Sequence, residues 1–107
     1  MTPEGKVKEK VRRILKKVGA WFTMPRGGPY GRAGVPDFLC CYRGYFLAIE
    51  CKAGDNQPTD GQLSQIAAVR DAGGLAIVVR ESNIEDLPVL FKRIDKRIEK
   101  LTCSTTE

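Results

Sequence analysis

The sequence contains no histidine among its 107 residues. That absence excludes Ser-His-Asp and Cys-His nucleophile systems, and it excludes zinc sites built on imidazole. Long apolar runs are missing as well. No stretch reaches the roughly 18 apolar residues of a membrane span, and no signal-peptide pattern is present, so neither secretion nor a membrane span is expected. The four cysteines (Cys40, Cys41, Cys51 and Cys103) form no CxxC pair. A disulfide between the adjacent Cys40 and Cys41 would be strained. Three of the four lie in apolar, strand-like runs, which predicts buried free thiols and a reducing, cytoplasmic setting.

A chain of this length is expected to form a single domain, 1–107, with one core of its own. The net charge of +5 is unevenly spread. Residues 1–32 carry a balance of +7, and residues 33–107 carry −2. A basic N-terminal third suggests a face for a polyanion; a solvated helix face explains the same charges.

Thr2-Pro3 is a helix-start signal, and Val7, Val11, Ile14, Leu15 and Val18 follow at helical spacing until Gly19. Residues 20–24 read as a short strand. Residues 25–34 form a Gly/Pro-rich loop containing Arg26 and Arg32. Residues 35–42 read as a strand, Arg43-Gly44 as a turn, and 45–52 as the hairpin partner. Thr59 caps a second helix that runs to about Ala72. Leu75 to Val79 is an unbroken apolar run, as in a buried parallel strand. Leu87, Phe91, Ile94, Ile98 and Leu101 mark a last amphipathic helix over about 87–101. The unit from Tyr45 to Val79 reads as a right-handed βαβ crossover. The pattern predicts an α/β domain with a mixed sheet, in two or three layers.

Glu50-Cys51-Lys52 ends a strand that is otherwise apolar, an unusual place for charge. Alternation puts Glu50 and Lys52 on one face with Phe46 and Ala48. If Arg43-Gly44 is the hairpin loop, Tyr42 pairs with Tyr45, and the same register sets Asp37 opposite Glu50. Two carboxylates so placed lie roughly 5 Å apart and repel. A shared proton, neutralisation by Lys52 or a bound cation resolves the conflict. The first two amount to a structural ion cluster; the third suits a hard ion such as Mg²⁺ or Mn²⁺. Glu4 adds a third acid. At about 100° per residue it lies within roughly 40° of Val11, Leu15 and Val18, so it points along the buried stripe. A first-turn acid facing the helix dipole is the plainer reading of Glu4. Gln62 shares a side with Ile66 and Val69, yet Thr59-x-x-Gln62 is also a capping box.

Such a cluster suits phosphodiester hydrolysis. A carboxylate-held metal activates water and polarises phosphate, and a neighbouring lysine orients the water or offsets developing charge. Lys6, Lys10 and Arg13 on the first helix, with Arg26 and Arg32 in the loop, are candidates for holding a nucleic-acid backbone.

Gly34-Val35-Pro36-Asp37 (GVPD), then twelve residues, then Glu50-Cys51-Lys52 (ECK) resembles the PD-(D/E)XK nuclease motif. With TPEGKVKEKV before it and PTDGQLSQIAAVRDAGGLAIVV after it, the chain is similar to the virus-type replication-repair nuclease (VRR-Nuc) domain over about residues 2–80. The resemblance implies a restriction-endonuclease-like fold of order α-β-β-β-α-β-α with a four-stranded mixed sheet. It implies Asp37, Glu50 and the Cys51 carbonyl as ligands of Mg²⁺ or Mn²⁺, and Lys52 as the catalytic lysine. Glu4 and Gln62 match the family's first-helix acid and the glutamine after the motif lysine. Stand-alone copies of this size are typical of bacteriophages, and such members are linked to cleavage of branched DNA, notably four-way (Holliday) junctions. The expected activity is therefore a metal-dependent DNA endonuclease in the host cytosol, working as a homodimer or higher homo-oligomer on a near-symmetric junction. A non-catalytic nucleic-acid-binding module on the same fold is the alternative. A sequence-specific restriction enzyme is a further one, although so short a chain leaves little room for base reading.

Overall fold

The computed structural model describes residues 1–26 and 33–105, and side chains as far as residue 102. Helix α1 (Pro3–Val18) starts where Thr2 and Pro3 predict, with Thr2 Oγ1 accepting the Gly5 N–H at 3.0 Å. Its apolar positions Val7, Val11 and Leu15 are buried. Strand β1 (Trp21–Thr23) follows, then β2 (Phe38–Tyr42) and β3 (Tyr45–Cys51). Helix α2 (Asp60–Asp71), strand β4 (Leu75–Val79) and helix α3 (Asp86–Thr105) complete the order α-β-β-β-α-β-α. That is the expected restriction-endonuclease-like order.

The hairpin is built on a turn in which both Arg43 (φ 49°) and Gly44 (φ 89°) are left-handed. Such a turn matches the twist of the strands it joins. Arg43 is held there by Asp95 of α3, whose Oδ1 accepts from its guanidinium and from the Tyr42 hydroxyl, each at 2.8 Å. The register runs from Tyr42↔Tyr45 to Phe38↔Ile49, as the turn predicts. β2 nevertheless starts at Phe38 rather than Val35. Pro36 has no N–H to give the ladder. Asp37 pairs through its side chain instead, Oδ2 accepting the Cys51 N–H at 2.8 Å.

The sheet order is β1-β2-β3-β4, with β3 antiparallel to β2 and parallel to β4. The crossover through α2 is thus the βαβ unit read from sequence. β4, however, is an edge strand whose Leu75, Ile77 and Val78 are only half-buried, against the expectation of a fully buried one. The Arg70 guanidinium caps the Ala76 carbonyl, at 2.6 and 3.1 Å, which helps cover this edge.

Three layers result. α1 and α3 pack on one face around Leu15, Phe38, Leu47, Ile49 and Phe91. α2 covers the other through Ala48, Ile66 and Ala76. Full burial of side chains such as Phe38 stabilises the fold by about 1.5–3 kcal/mol each. α2 packs on β3 and β4, so Trp21 and Phe46, and Cys41 between them in register, stay exposed. Cys40 and Cys51 are the buried free thiols expected, with burial pushing Cys40 up to about 12, while Cys41 departs from that expectation. The Cys103 side chain lies outside the described residues. Among the described residues no helix is long and apolar enough to cross a membrane.

Candidate active site

β3 is an interior strand whose residues 47–51 are all buried. Leu47, Ile49 and Cys51 face α1 and α3, so alternation turns Ala48 and Glu50 to the opposite face. Glu50 is 2% exposed, the one buried charged residue among those described. Its carboxyl stands within hydrogen-bonding reach of Asp37. Burial, and then the bond to and charge of Asp37, push the Glu50 carboxyl up to about 8, against the opposing pull of Lys52. Asp37 is fixed at both oxygens: Oδ2 takes the Cys51 N–H, and Oδ1 lies 3.4 Å from Lys8 Nζ.

Lys52 is anchored through its backbone, donating its N–H to the Val79 carbonyl at 3.0 Å. Its side chain is 13% exposed, with Nζ 4.0 Å from Glu4 Oε1. Glu4 Oε2 in turn lies 3.7 Å from Lys8 Nζ. A chain of alternating charge, Asp37–Lys8–Glu4–Lys52, therefore runs from the sheet end to the first turns of α1. Burial lowers Lys8, but Asp37 and Glu4 outweigh it and the pKa is raised.

These side chains report on pH. The native state keeps a proton on Glu50 up to about 8, whereas the ordinary value is 4.5. Between those values the folded chain binds more protons than the unfolded one, so stability falls as pH rises. Thermal melts of chelator-treated protein are expected to drop steadily across that window. Glu50→Gln, which cannot ionise, is expected to flatten the profile; an unchanged slope in that variant would place the titration elsewhere.

The structure brings together Glu4, Asp37, Glu50, Cys51 and Lys52. Lys52 makes its ion contact with Glu4, and the cation touching Asp37 is Lys8. Gln62 uses its Oε1 to accept the Thr59 N–H at 2.9 Å, closing the capping box with the Gln62 N–H on Thr59 Oγ1. Lys6, Lys10 and Arg13 are exposed and line one shallow cleft of about 460 Å³ with Glu81. On the helical wheel they sit roughly half a turn from Glu4, so this basic stripe and the acidic site occupy different sides of α1. Arg26 is exposed; Arg32 lies outside the described residues.

Four residues were not singled out from sequence. Lys8 follows Glu4 by four, which places both on one helix face, and that spacing was readable. Arg80 and Glu81 clamp the loop after Lys52: Arg80 donates to the carbonyls of Gly54 (2.9 Å) and Asn56 (2.6 Å), and Glu81 accepts the Gly54 N–H at 2.9 Å. No local signal links positions so far apart. Gly61, in the first turn of α2, is the backbone on which Gly34 rests. A Cβ on Gly34 would lie 2.6 Å from the Gly61 carbonyl group and 2.9 Å from the Gln62 nitrogen.

Among the described residues no three acidic or cysteine side chains gather as a metal cluster. Asp37 and Glu50 form a pair, and Cys51 closes β3 between Glu50 and Lys52. Two carboxyl groups that repel when both ionise, at a strand end with backbone oxygen beside them, are a hard-oxygen donor set that fits Mg²⁺ or Mn²⁺.

No family model matches the chain, and neither does any curated protein sequence. Solved structures do match. One described as a VRR_NUC domain is 28% identical, with a TM-score of 0.67 over 92% of this chain and 97% of its own. The Holliday junction resolvase Hjc of Archaeoglobus fulgidus is similar in fold, with 20% identity and a TM-score of 0.56 over 71% of this chain and 66% of its own.

Proposed function

Taking this chain as a VRR-Nuc nuclease domain, we propose that it is a Mg²⁺- or Mn²⁺-dependent DNA endonuclease that cleaves branched DNA such as four-way junctions. The observation that carries the reading is the buried Glu50 facing Asp37 beside Lys52, set in a fold shared with a VRR_NUC domain over nearly the whole chain. The branched substrate rests on the likeness to a Holliday junction resolvase.

In this reading Asp37, Glu50 and the Cys51 carbonyl would hold the divalent ion, whose chemistry would be to activate water and offset charge on the phosphate. The protein's own groups do the rest. Lys52 Nζ, shielded from solvent and steadied by Glu4, orients the attacking water and neutralises charge that develops on the phosphate oxygens. Glu4 keeps that ammonium aimed at the sheet end. The capped first turn of α2 brings Gln62 to the same end of the domain as the GVPD segment. Lys6, Lys10 and Arg13 hold DNA backbone on the outer side of α1, so a duplex arm lies along the helix while another enters the site. A junction of near two-fold symmetry favours a homo-oligomer with paired sites, formed through α3 or the hairpin edge. The proposal extends to a phage-type, cytosolic enzyme.

The test is a panel of labelled duplex, flap, fork and four-way junction DNA with Mg²⁺ or Mn²⁺. Cleavage of branched substrates over plain duplex is expected, and it should vanish with chelator. No cleavage of any substrate with Mn²⁺ would leave a binding module instead, and cutting of plain duplex at one fixed sequence would point to a restriction-type enzyme. Sedimentation showing only monomer, with or without junction DNA, would rule out the oligomer.

A further inference from the structure

Lys8 stands on the Glu4 side of α1, at the acidic site that the second DNA arm of the proposed reading enters. Its Nζ lies 3.4 Å from Asp37 Oδ1 and 3.7 Å from Glu4 Oε2, and its side chain is 34% exposed. The other oxygen of Asp37 is already committed, to the Cys51 N–H at 2.8 Å. A cation approaching Asp37 therefore meets the ammonium of Lys8 at the one oxygen that no backbone group holds. Lys52 is differently placed: it is more buried, its contact is with Glu4, and its backbone is pinned to Val79.

We infer that Lys8 is a displaceable counter-ion of Asp37, which occupies the carboxylate in the metal-free chain and turns to a DNA phosphate when a divalent ion takes its place. The inference rests on the metal-dependent reading above and names a positioning residue outside the motif. Three physical points carry it. Lysine is a compact charge on a flexible stem, so it leaves one anion for another without moving the backbone. Its partial exposure gives it a way out of the site. Two cations on one carboxylate repel, so ion and ammonium compete for Asp37. The exchange also links two ligands. An ion that releases Lys8 readies it for phosphate, and a phosphate that captures Lys8 clears Asp37 for the ion, so each tightens the other by the same factor.

The experiment is calorimetric titration of Ca²⁺ into the full, metal-stripped chain, comparing wild type with Lys8→Gln and Lys8→Arg, without and with four-way junction DNA. Without DNA, Lys8→Gln is expected to bind Ca²⁺ about three- to fivefold more tightly, the size of a partly exposed ion pair. Lys8→Arg keeps the charge and is expected to bind like wild type. Junction DNA is expected to tighten Ca²⁺ binding in wild type and to do so less in Lys8→Gln. If wild type binds Ca²⁺ and Lys8→Gln binds no more tightly, the inference fails while the nuclease reading stands. Equal tightening in Lys8→Arg would trace the effect to lost packing and overturn it as well. An equal response to DNA in both chains would overturn the phosphate half. If no chain binds Ca²⁺ or Mn²⁺, the metal-dependent reading fails and takes this one with it.

Discussion

Replacing Glu50 or Asp37 with alanine, or Lys52 with methionine, is expected to cut strand cleavage by about 10²–10³-fold or more, with junction binding largely retained. The size follows from what each group would supply in the proposed reaction: Asp37 and Glu50 would hold the ion, and a positioned charge such as Lys52 contributes roughly 10²–10³-fold. Binding is expected to survive if the basic stripe of Lys6, Lys10 and Arg13 holds the DNA as proposed, since it lies on a different side of α1 from the carboxyl pair. The three variants differ in how they fail. Glu50→Ala removes a buried, protonated carboxyl bonded to Asp37 and leaves a cavity in its place, so it is expected to be inactive and to melt somewhat lower. Asp37→Ala loses the acceptor of the Cys51 N–H and the partner of Lys8, so it is expected to melt lower as well. Lys52→Met keeps the length of the side chain and the backbone bond to Val79, and isolates the ammonium. Gel assays of junction cleavage beside fluorescence-polarisation binding measure both effects. Wild-type cleavage by Glu50→Ala would remove the carboxyl pair from the mechanism.

Most of this site could be read from residue order because one local rule governed it. Arg43-Gly44 sets a two-residue loop, the loop sets the register, and the register puts Asp37 beside Glu50. Glu4 was legible in the same way, from helical periodicity. β2 starts later than composition suggests, because Val35 and Pro36 look like strand while Pro36 breaks the ladder and Asp37 bonds through its carboxylate. The exposure of Cys41 and the half-burial of β4 depend on where α2 lies across the sheet, which is a tertiary fact. The clamp of Arg80 and Glu81 on the Gly54 loop is likewise invisible locally, since its partners are joined only by the return of β4 alongside β3. Lys8 is hard to read from sequence for another reason. A lysine in a basic helix looks solvated, and only its contacts with Glu4 and Asp37 separate it from Lys6 and Lys10.

Among the described glycines, Gly34→Ala is expected to be the most disruptive. Two costs act together. Gly34 has φ +76°, a left-handed backbone that costs a residue with a Cβ about 1–2 kcal/mol. The new Cβ would also lie 2.6 Å from the backbone of Gly61, which cannot swing aside as a side-chain tip does. Overpacking of this kind adds about 1–3 kcal/mol. Together they imply a melting temperature lower by roughly 10–20 °C for a domain of this size. Two other glycines separate the contributions. Gly73 has φ +95° with nothing within 4 Å of its would-be Cβ, so Gly73→Ala carries only the backbone cost. In Gly61→Ala the Cβ meets only Thr59 Oγ1, at 3.9 Å, and within α2 the change is expected to be neutral or stabilising by up to about 1 kcal/mol. Activity should follow the geometry. The Gly34–Gly61 contact joins the segment that carries Asp37 to the first turn of α2. Gly34→Ala is therefore expected to lose cleavage even at temperatures where it remains folded, whereas Gly73→Ala, at the far end of α2, retains it. A Gly34→Ala protein that melts and cleaves like Gly73→Ala would show that the loop yields at this contact, and that the glycine of the GVPD segment serves its backbone angle alone.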